Sequence, residues 1–220
     1  YSGLLTLLPD LQADLAYAVE GYTNTYGNIW RWDILPTNTE VEAVYGTLNA
    51  LIGKCNFLLE RIAVLEQEVD DEDYEKLQQF KGEALFARAL SYSDLIKMYC
   101  KAYDPATAAD ELGVVLVSSY SNAGTLKRAS LKDSYQFVLD DLAQSATCLK
   151  PDENENDESY YDTPYFTIYA VNALYARVYL NMQEWDKAIE YASKVIDSRK
   201  FKLSSTTEMI DSETSYYQYM

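Results

Sequence analysis

Histidine is absent from the chain, which removes Ser-His-Asp and Cys-His nucleophile arrangements, HExxH zinc sites and imidazole general bases together. Glycine and proline are scarce, at 8 and 5 of 220 residues, about half the usual share of ~12%. Many short strands would need more turn formers than that, so a helical protein with few connections fits best. Cations are scarce as well: 18 Lys and Arg stand against 35 Asp and Glu, a net charge of −17. Nucleic acid is held through a basic stripe that this composition lacks, and an anionic membrane surface is disfavoured for the same reason. No apolar run approaches the ~18 residues of a spanning helix. No GxGxxG occurs, and Gly53-Lys54 lacks the phosphate-loop glycine five residues earlier, where Leu48 stands, so no nucleotide cofactor is expected.

The three cysteines, Cys55, Cys100 and Cys148, lie 45 and 48 residues apart, which matches neither a metal-ligand spacing nor a CxxC pair. They read as small core residues, and an odd count defines no disulfide framework. Residues 151–158 place Asp152, Asn154, Asn156 and Glu158 at alternate positions, as a calcium loop does. Asp157 stands where that loop has its central Gly and Thr163 where it has its terminal Glu, so a solvated charge run is expected and no metal site. Carboxylates are abundant, but no local motif singles out an acid with an ionised partner. No catalytic residue is assigned. The chain opens at Tyr1 without a charged segment followed by an apolar one, so the expectation is a processed targeting segment or an excised piece.

What the chain does have is helical periodicity. Leu48, Leu51, Ile52, Cys55, Leu58, Leu59 and Ile62 recur in steps that put them on one face, which predicts a helix over about 40–66. The acidic run at 70–73 then sets negative charge before a second helix over about 72–100, where the helix dipole favours it. Its stripe is Leu77, Phe80, Ala84, Ala87, Leu90 or Ser91, Leu95 and Met98, and the pair forms an antiparallel hairpin. Residues 101–129 read as a long excursion with one strand-like piece, Val114-Val115-Leu116-Val117, and excursions of that length are usually functional or pinned by a neighbour. A third helix follows, with Ser130 as N-cap and Leu131, Tyr135, Val138, Leu142 and Leu149 on one face.

Residues 165–181 and 185–198 form a second hairpin that resembles a tetratricopeptide repeat: Ala176 and Tyr179 on the first helix, Trp185 after the turn, then Ala188, Ile189 and Tyr191. Ala176 and Ala188 are the small residues where paired helices touch, and Tyr179 fills the groove beside them. Gln183 stands where the repeat has Gly, and no Pro closes the unit at Asp197, so the repeat is degenerate.

Tyrosine is the compositional outlier, at 21 residues against 3 Trp and 6 Phe, and it suits both wet helix interfaces and surfaces that stack on polar rings. The segment that stands out is residues 21–32, GYTNTYGNIWRW, which holds two of the three Trp, Trp30 and Trp32, with Tyr22 and Tyr26 beside Asn28 and Arg31. Flat aromatic faces stack on the apolar faces of sugars while Asn and Arg bond hydroxyls. The competing reading is that Trp30 and Trp32 plug the ends of the helices.

Four segments carry a wider resemblance: residues 45–62 (YGTLNALIGKCNFLLERI), 81–99 (KGEALFARALSYSDLIKMY), 131–149 with its VLDDL, and 173–203 (ALYARVYLNMQEWDKAIEYASKVIDSRKFKL). In that order they resemble the N-terminal part of SusD/RagB-type proteins, the cell-surface nutrient-binding lipoproteins of Bacteroidetes. The resemblance implies an all-α fold of degenerate tetratricopeptide-like hairpins, with residues 1–220 one helical domain and the family's C-terminal half absent. It implies a non-catalytic subunit without cofactor, paired with a SusC-like TonB-dependent transporter in the outer membrane. Glycan or oligosaccharide is the implied ligand, held at the cell surface by a lipid anchor on a cysteine this chain does not contain. By region it points to Trp30, Trp32, Tyr22, Tyr26 and Asn28 as ligand contacts, and leaves Glu83, Arg88 and Arg177 to ion pairs and helix packing. The alternative is a tetratricopeptide scaffold for a protein or peptide.

Overall fold

Three helices begin where the sequence supplies a side-chain acceptor for their orphan amides. Asp70 accepts from the Asp73 amide at 3.1 Å, Ser130 from Asp133 at 3.0 Å and Thr167 from Ala170 at 3.4 Å. The computed structural model describes residues 3–19, 26–120, 126–149, 165–201 and 205–207. Among them are seven helices: α1 (Leu4–Gln12), α2 (Gly27–Trp30), α3 (Thr39–Leu65), α4 (Asp71–Tyr99), α5 (Leu131–Cys148), α6 (Ile168–Asn181) and α7 (Trp185–Asp197). Two short strands, β1 (Leu112–Val115) and β2 (Arg128–Ser130), pair antiparallel. The fold is all-α with this one ribbon, as expected. The acidic run at 151–158 and Tyr22 lie outside the described residues.

Helix α4 is the centre. It packs along α3 and α5 and also touches α6 and β1, which is why nearly every side chain from Ala84 to Ile96 is buried. The partners run antiparallel to it. On the α3 side Glu66 meets Lys81 at 2.8 Å, Asn56 meets Arg88 at 2.7 Å and the Val41 carbonyl meets the Tyr99 hydroxyl at 2.7 Å. On the α5 side Ser145 donates to the Gly82 carbonyl at 2.7 Å, and Asp141 takes two bonds from Arg88, at 2.8 and 2.7 Å. The Arg88 guanidinium also lies 5.2 Å from the centroid of the Phe137 ring. One buried cation thus joins three helices.

Two stripe assignments differ. Leu58 and Phe80 are exposed. The seven-residue α3 stripe covers more of the circumference than α4 does, so Leu58 falls outside the contact while Asn56 is drawn inward by Arg88. Phe80 lies on α4 before the helix becomes enclosed on all sides. The excursion is pinned, as its length suggested: the Val117 amide donates to the Tyr92 hydroxyl at 2.8 Å, the Val117 carbonyl accepts from Asn56 at 2.8 Å, and the Lys132 amide bonds the Ala108 carbonyl at 2.9 Å.

The α6–α7 hairpin is built as the repeat resemblance implies, with Ala188 buried. Ala176 is only half-buried, because three stacked rings, Tyr175, Tyr179 and Tyr191 with centroids 4.4–5.9 Å apart, occupy the interface. Of the cysteines Cys55 is buried and Cys100 and Cys148 are half-buried, all three as free thiols. Among the described residues no helix is long and apolar enough to cross a membrane.

Candidate functional site

Residues 26–32 of the aromatic segment fold as one tight turn of helix between two residues in left-handed backbone. Tyr26 has φ 62° and Trp32 has φ 59°, on either side of α2. Neither is glycine, so each position is held against an intrinsic cost of about 1 kcal/mol or more. The restraint comes from bonds that close the turn: the Trp32 amide reaches the Ile29 carbonyl at 3.1 Å and the Asp33 amide the Asn28 carbonyl at 2.9 Å. Ile29, 2% exposed, nails α2 to the core.

The two tryptophans therefore part company. Trp30 is half-buried and packs against the core, as does Tyr26. Trp32 is turned out, 64% exposed. Asn28 is also at the surface, where its Oδ1 accepts from Arg31 Nη2 at 2.9 Å, so one amide oxygen is already committed to the neighbouring guanidinium. Of the expected ligand contacts Trp32 and Asn28 are thus exposed, and Trp30 and Tyr26 are half-buried against the core.

Trp32 stands at a concavity of about 560 Å³ bounded by α1, the 34–36 turn and the last turn of α4. Its lining is mostly apolar, with Leu8, Ile29, Val41 and Met98 as walls, and Gln12, Lys97 and the Tyr99 hydroxyl as the polar groups. That hydroxyl is bonded to the Val41 carbonyl, and burial pushes its pKa up, so it is a fixed neutral phenol. A flat ring with an apolar hollow beneath can take the C–H face of a ligand, and the ammonium and amide can bond hydroxyls at its edge. The sequence reading missed the walls from α1. Their signal is Leu4, Leu8 and Leu11 at helical spacing, interrupted by Pro9.

Among the described residues the buried or half-buried acids Asp141, Asp94 and Glu83 are each engaged by a neighbour. Asp141, a buried carboxylate, is engaged by Arg88 through both oxygens, and Arg177 pairs with Asp94 at 3.3 Å. Glu83 accepts from Gln79 at 2.7 Å. Among the described residues no group of His, Cys, Asp and Glu could hold a metal ion.

Residues 8–180 match a family of SusD-like proteins described as starch-binding and associating with the outer membrane. No curated protein matches the sequence. Among solved structures, a SusD superfamily protein from Bacteroides thetaiotaomicron is similar with a TM-score of 0.67 at 23% identity, over 88% of this chain and 40% of that one. A SusD-like carbohydrate-binding protein from Bacteroides vulgatus gives 0.73 at 15% identity, over 94% and 41%. A laminarin-binding SusD-like protein gives 0.59 at 15% identity, over 87% and 42%. This chain therefore spans about 40% of the length of these three structures. With most of its length inside the family match and its helices in the same arrangement as theirs, the chain belongs to the SusD-like family.

Proposed function

We propose that the chain is the N-terminal portion of a non-catalytic glycan-binding subunit, displayed at the outer membrane by a lipid anchor and paired with a SusC-like TonB-dependent transporter. Family membership supports the outer-membrane setting and the starch-like class of ligand, and a structural relative is described as laminarin-binding. The observation that carries the reading is Trp32: a large ring exposed at the mouth of a preformed concavity, in a family of carbohydrate binders. Absence of His, together with buried carboxylates already engaged by arginines, supports binding without turnover.

Calorimetric titration of maltoheptaose and laminarihexaose tests it. Trp32→Ala should weaken binding by about 2 kcal/mol, the range of an anchoring aromatic, with the thermal melt unchanged. Unchanged affinity in that variant would remove Trp32 from the site, and turnover of either oligosaccharide would overturn the non-catalytic assignment. The scaffold alternative has one observation in its favour, the exposed apolar residues Trp185, Ile189 and Ile196 on α7. It would gain ground if the chain bound neither oligosaccharide and instead captured a peptide from a peptide array, with that capture lost in Ile189→Glu.

A further inference from the structure

A second concavity, of about 270 Å³, lies where the first turns of α4 face the residues leading into α6, well separated in sequence from Trp32. Its lining has a different character. Phe80 and Tyr165 present rings that are 50% and 58% exposed, and between them α4 contributes Lys76, Gln79 and Glu83. Gln79 and Glu83 stand one helical turn apart on the same face. The Gln79 amide donates to Glu83 Oε1 at 2.7 Å and to the Phe166 carbonyl at 3.4 Å. With the donors of Gln79 engaged inside the protein, Gln79 Oε1 and Glu83 Oε2 are left as acceptors with no partner among the described residues.

Two exposed aromatic faces beside a carboxylate and an amide oxygen match the chemistry of a sugar ring, whose C–H face is apolar and whose edge is a row of hydroxyl donors. Hydroxyls donating to an ionised carboxylate form the stronger, charge-assisted kind of bond. The groove also selects by charge. Its one cation among the described residues, Lys76, is within 3.2 Å of Asp73, and the whole chain carries −17, so a uronate or sulfated ring would meet net repulsion.

We propose that Phe80, Tyr165, Gln79 and Glu83 form a second carbohydrate subsite that holds one neutral hexopyranose ring of an oligosaccharide, independent of the Trp32 concavity. This rests on the glycan-binding reading but uses none of the same residues, so the two fail separately.

The test uses the full 220-residue chain on an array of neutral and acidic oligosaccharides, followed by calorimetry with the best neutral binder in the parent, Trp32→Ala, Tyr165→Ala and Glu83→Gln. Both groove positions are at the surface or half-buried, and circular dichroism melts confirm that each variant folds as the parent does. The expected result is a neutral ligand bound by the parent at two sites, one weakened at least tenfold by Tyr165→Ala and by Glu83→Gln and the other weakened only by Trp32→Ala. Parent-like affinity and stoichiometry in both groove variants, with loss in Trp32→Ala, would overturn the second subsite and leave the glycan reading intact. Binding of acidic oligosaccharides alone would also overturn the subsite while keeping a glycan binder. No binding anywhere on the array would overturn both.

Discussion

Arg88 sets the energetics at the scale of single residues. A buried guanidinium with a bidentate carboxylate and an amide acceptor contributes little net stability compared with well-packed apolar replacements, yet loss of one partner strands the other charge. Arg88→Met should therefore destabilise by about 3–5 kcal/mol, read as a lower urea midpoint. The double replacement Arg88→Met with Asp141→Leu should recover most of that loss; if the double variant is as unstable as the single one, the pair is not the source of the cost. Trp30 and Trp32 pose the other residue-scale contrast. Trp30 packs against the core while half-exposed, so Trp30→Ala should lower stability by about 2–3 kcal/mol, below the roughly 3–5 kcal/mol of a fully buried ring. Trp32→Ala should leave the melt where it is. The sequence offered no means of separating these two rings: they are the same residue type two positions apart, and only the left-handed backbone at Trp32 turns one of them to solvent.

Between elements, the approach of α5 to α4 is decided by an atom that is missing. A Cβ on Gly82 would lie 2.6 Å from Leu149 Cγ and 3.0 Å from Cys148 Cβ, and Leu149, 1% exposed, has no room to move aside. Gly82→Ala should cost about 1–3 kcal/mol of overpacking between α4 and α5. Gly46, by contrast, would meet nothing within 4 Å, so Gly46→Ala in the exposed face of α3 should stabilise by roughly 0.5–1 kcal/mol. Paired denaturation curves check both, and a loss in each would contradict the packing. At the α6–α7 turn Gln183 has φ 62° where the repeat has Gly, and its amide donates to the Tyr103 carbonyl at 2.7 Å. Gln183→Gly trades that bond for relief of strain and should stay within about 1 kcal/mol of the parent, whereas Gln183→Ala keeps the strain and loses the bond, costing about 1 kcal/mol. Helices α4 and α5 were legible in the sequence because the acidic run at 70–73 and the Ser130 cap stand where the periodicity begins, and α3 was legible from its stripe alone. Helix α1 was not, since Pro9 sits within nine residues that would ordinarily read as broken. Strand β2 is three residues long, too short to show alternation.

At the scale of the whole molecule, the excess of tyrosine has a consequence in alkali. Many phenols serve as packing, so their protons are held by burial. Desolvation raises Tyr135 from 10.0 to about 12 and pushes Tyr92, Tyr99 and Tyr175 upward as well. The Cys55 thiol rises from 9.0 to about 11 for the same reason, burial outweighing the attraction of Arg88. In the unfolded chain these groups release protons near their ordinary values, while the folded chain holds them until about two pH units higher for Cys55 and Tyr135. Above the ordinary values the unfolded state therefore binds fewer protons than the native one, and stability falls as pH rises. Below about pH 8 both states are almost fully protonated at these sites and the contribution is constant. Each phenolate or thiolate also adds to a net charge of −17, so self-repulsion acts in the same direction. Urea midpoints should thus be unaffected by these groups below about pH 8, begin to fall near pH 9 and drop steeply between about pH 10 and 12. Phenolate absorbance from the buried tyrosines should appear together with loss of the helical dichroism signal. A thiol reagent should find Cys55 unreactive in the native protein until that same transition. Smooth ionisation of all 21 tyrosines with the helical signal intact would show instead that the rings are open to solvent, and would contradict the packing on which both the α4 core and the stacked α6–α7 interface depend.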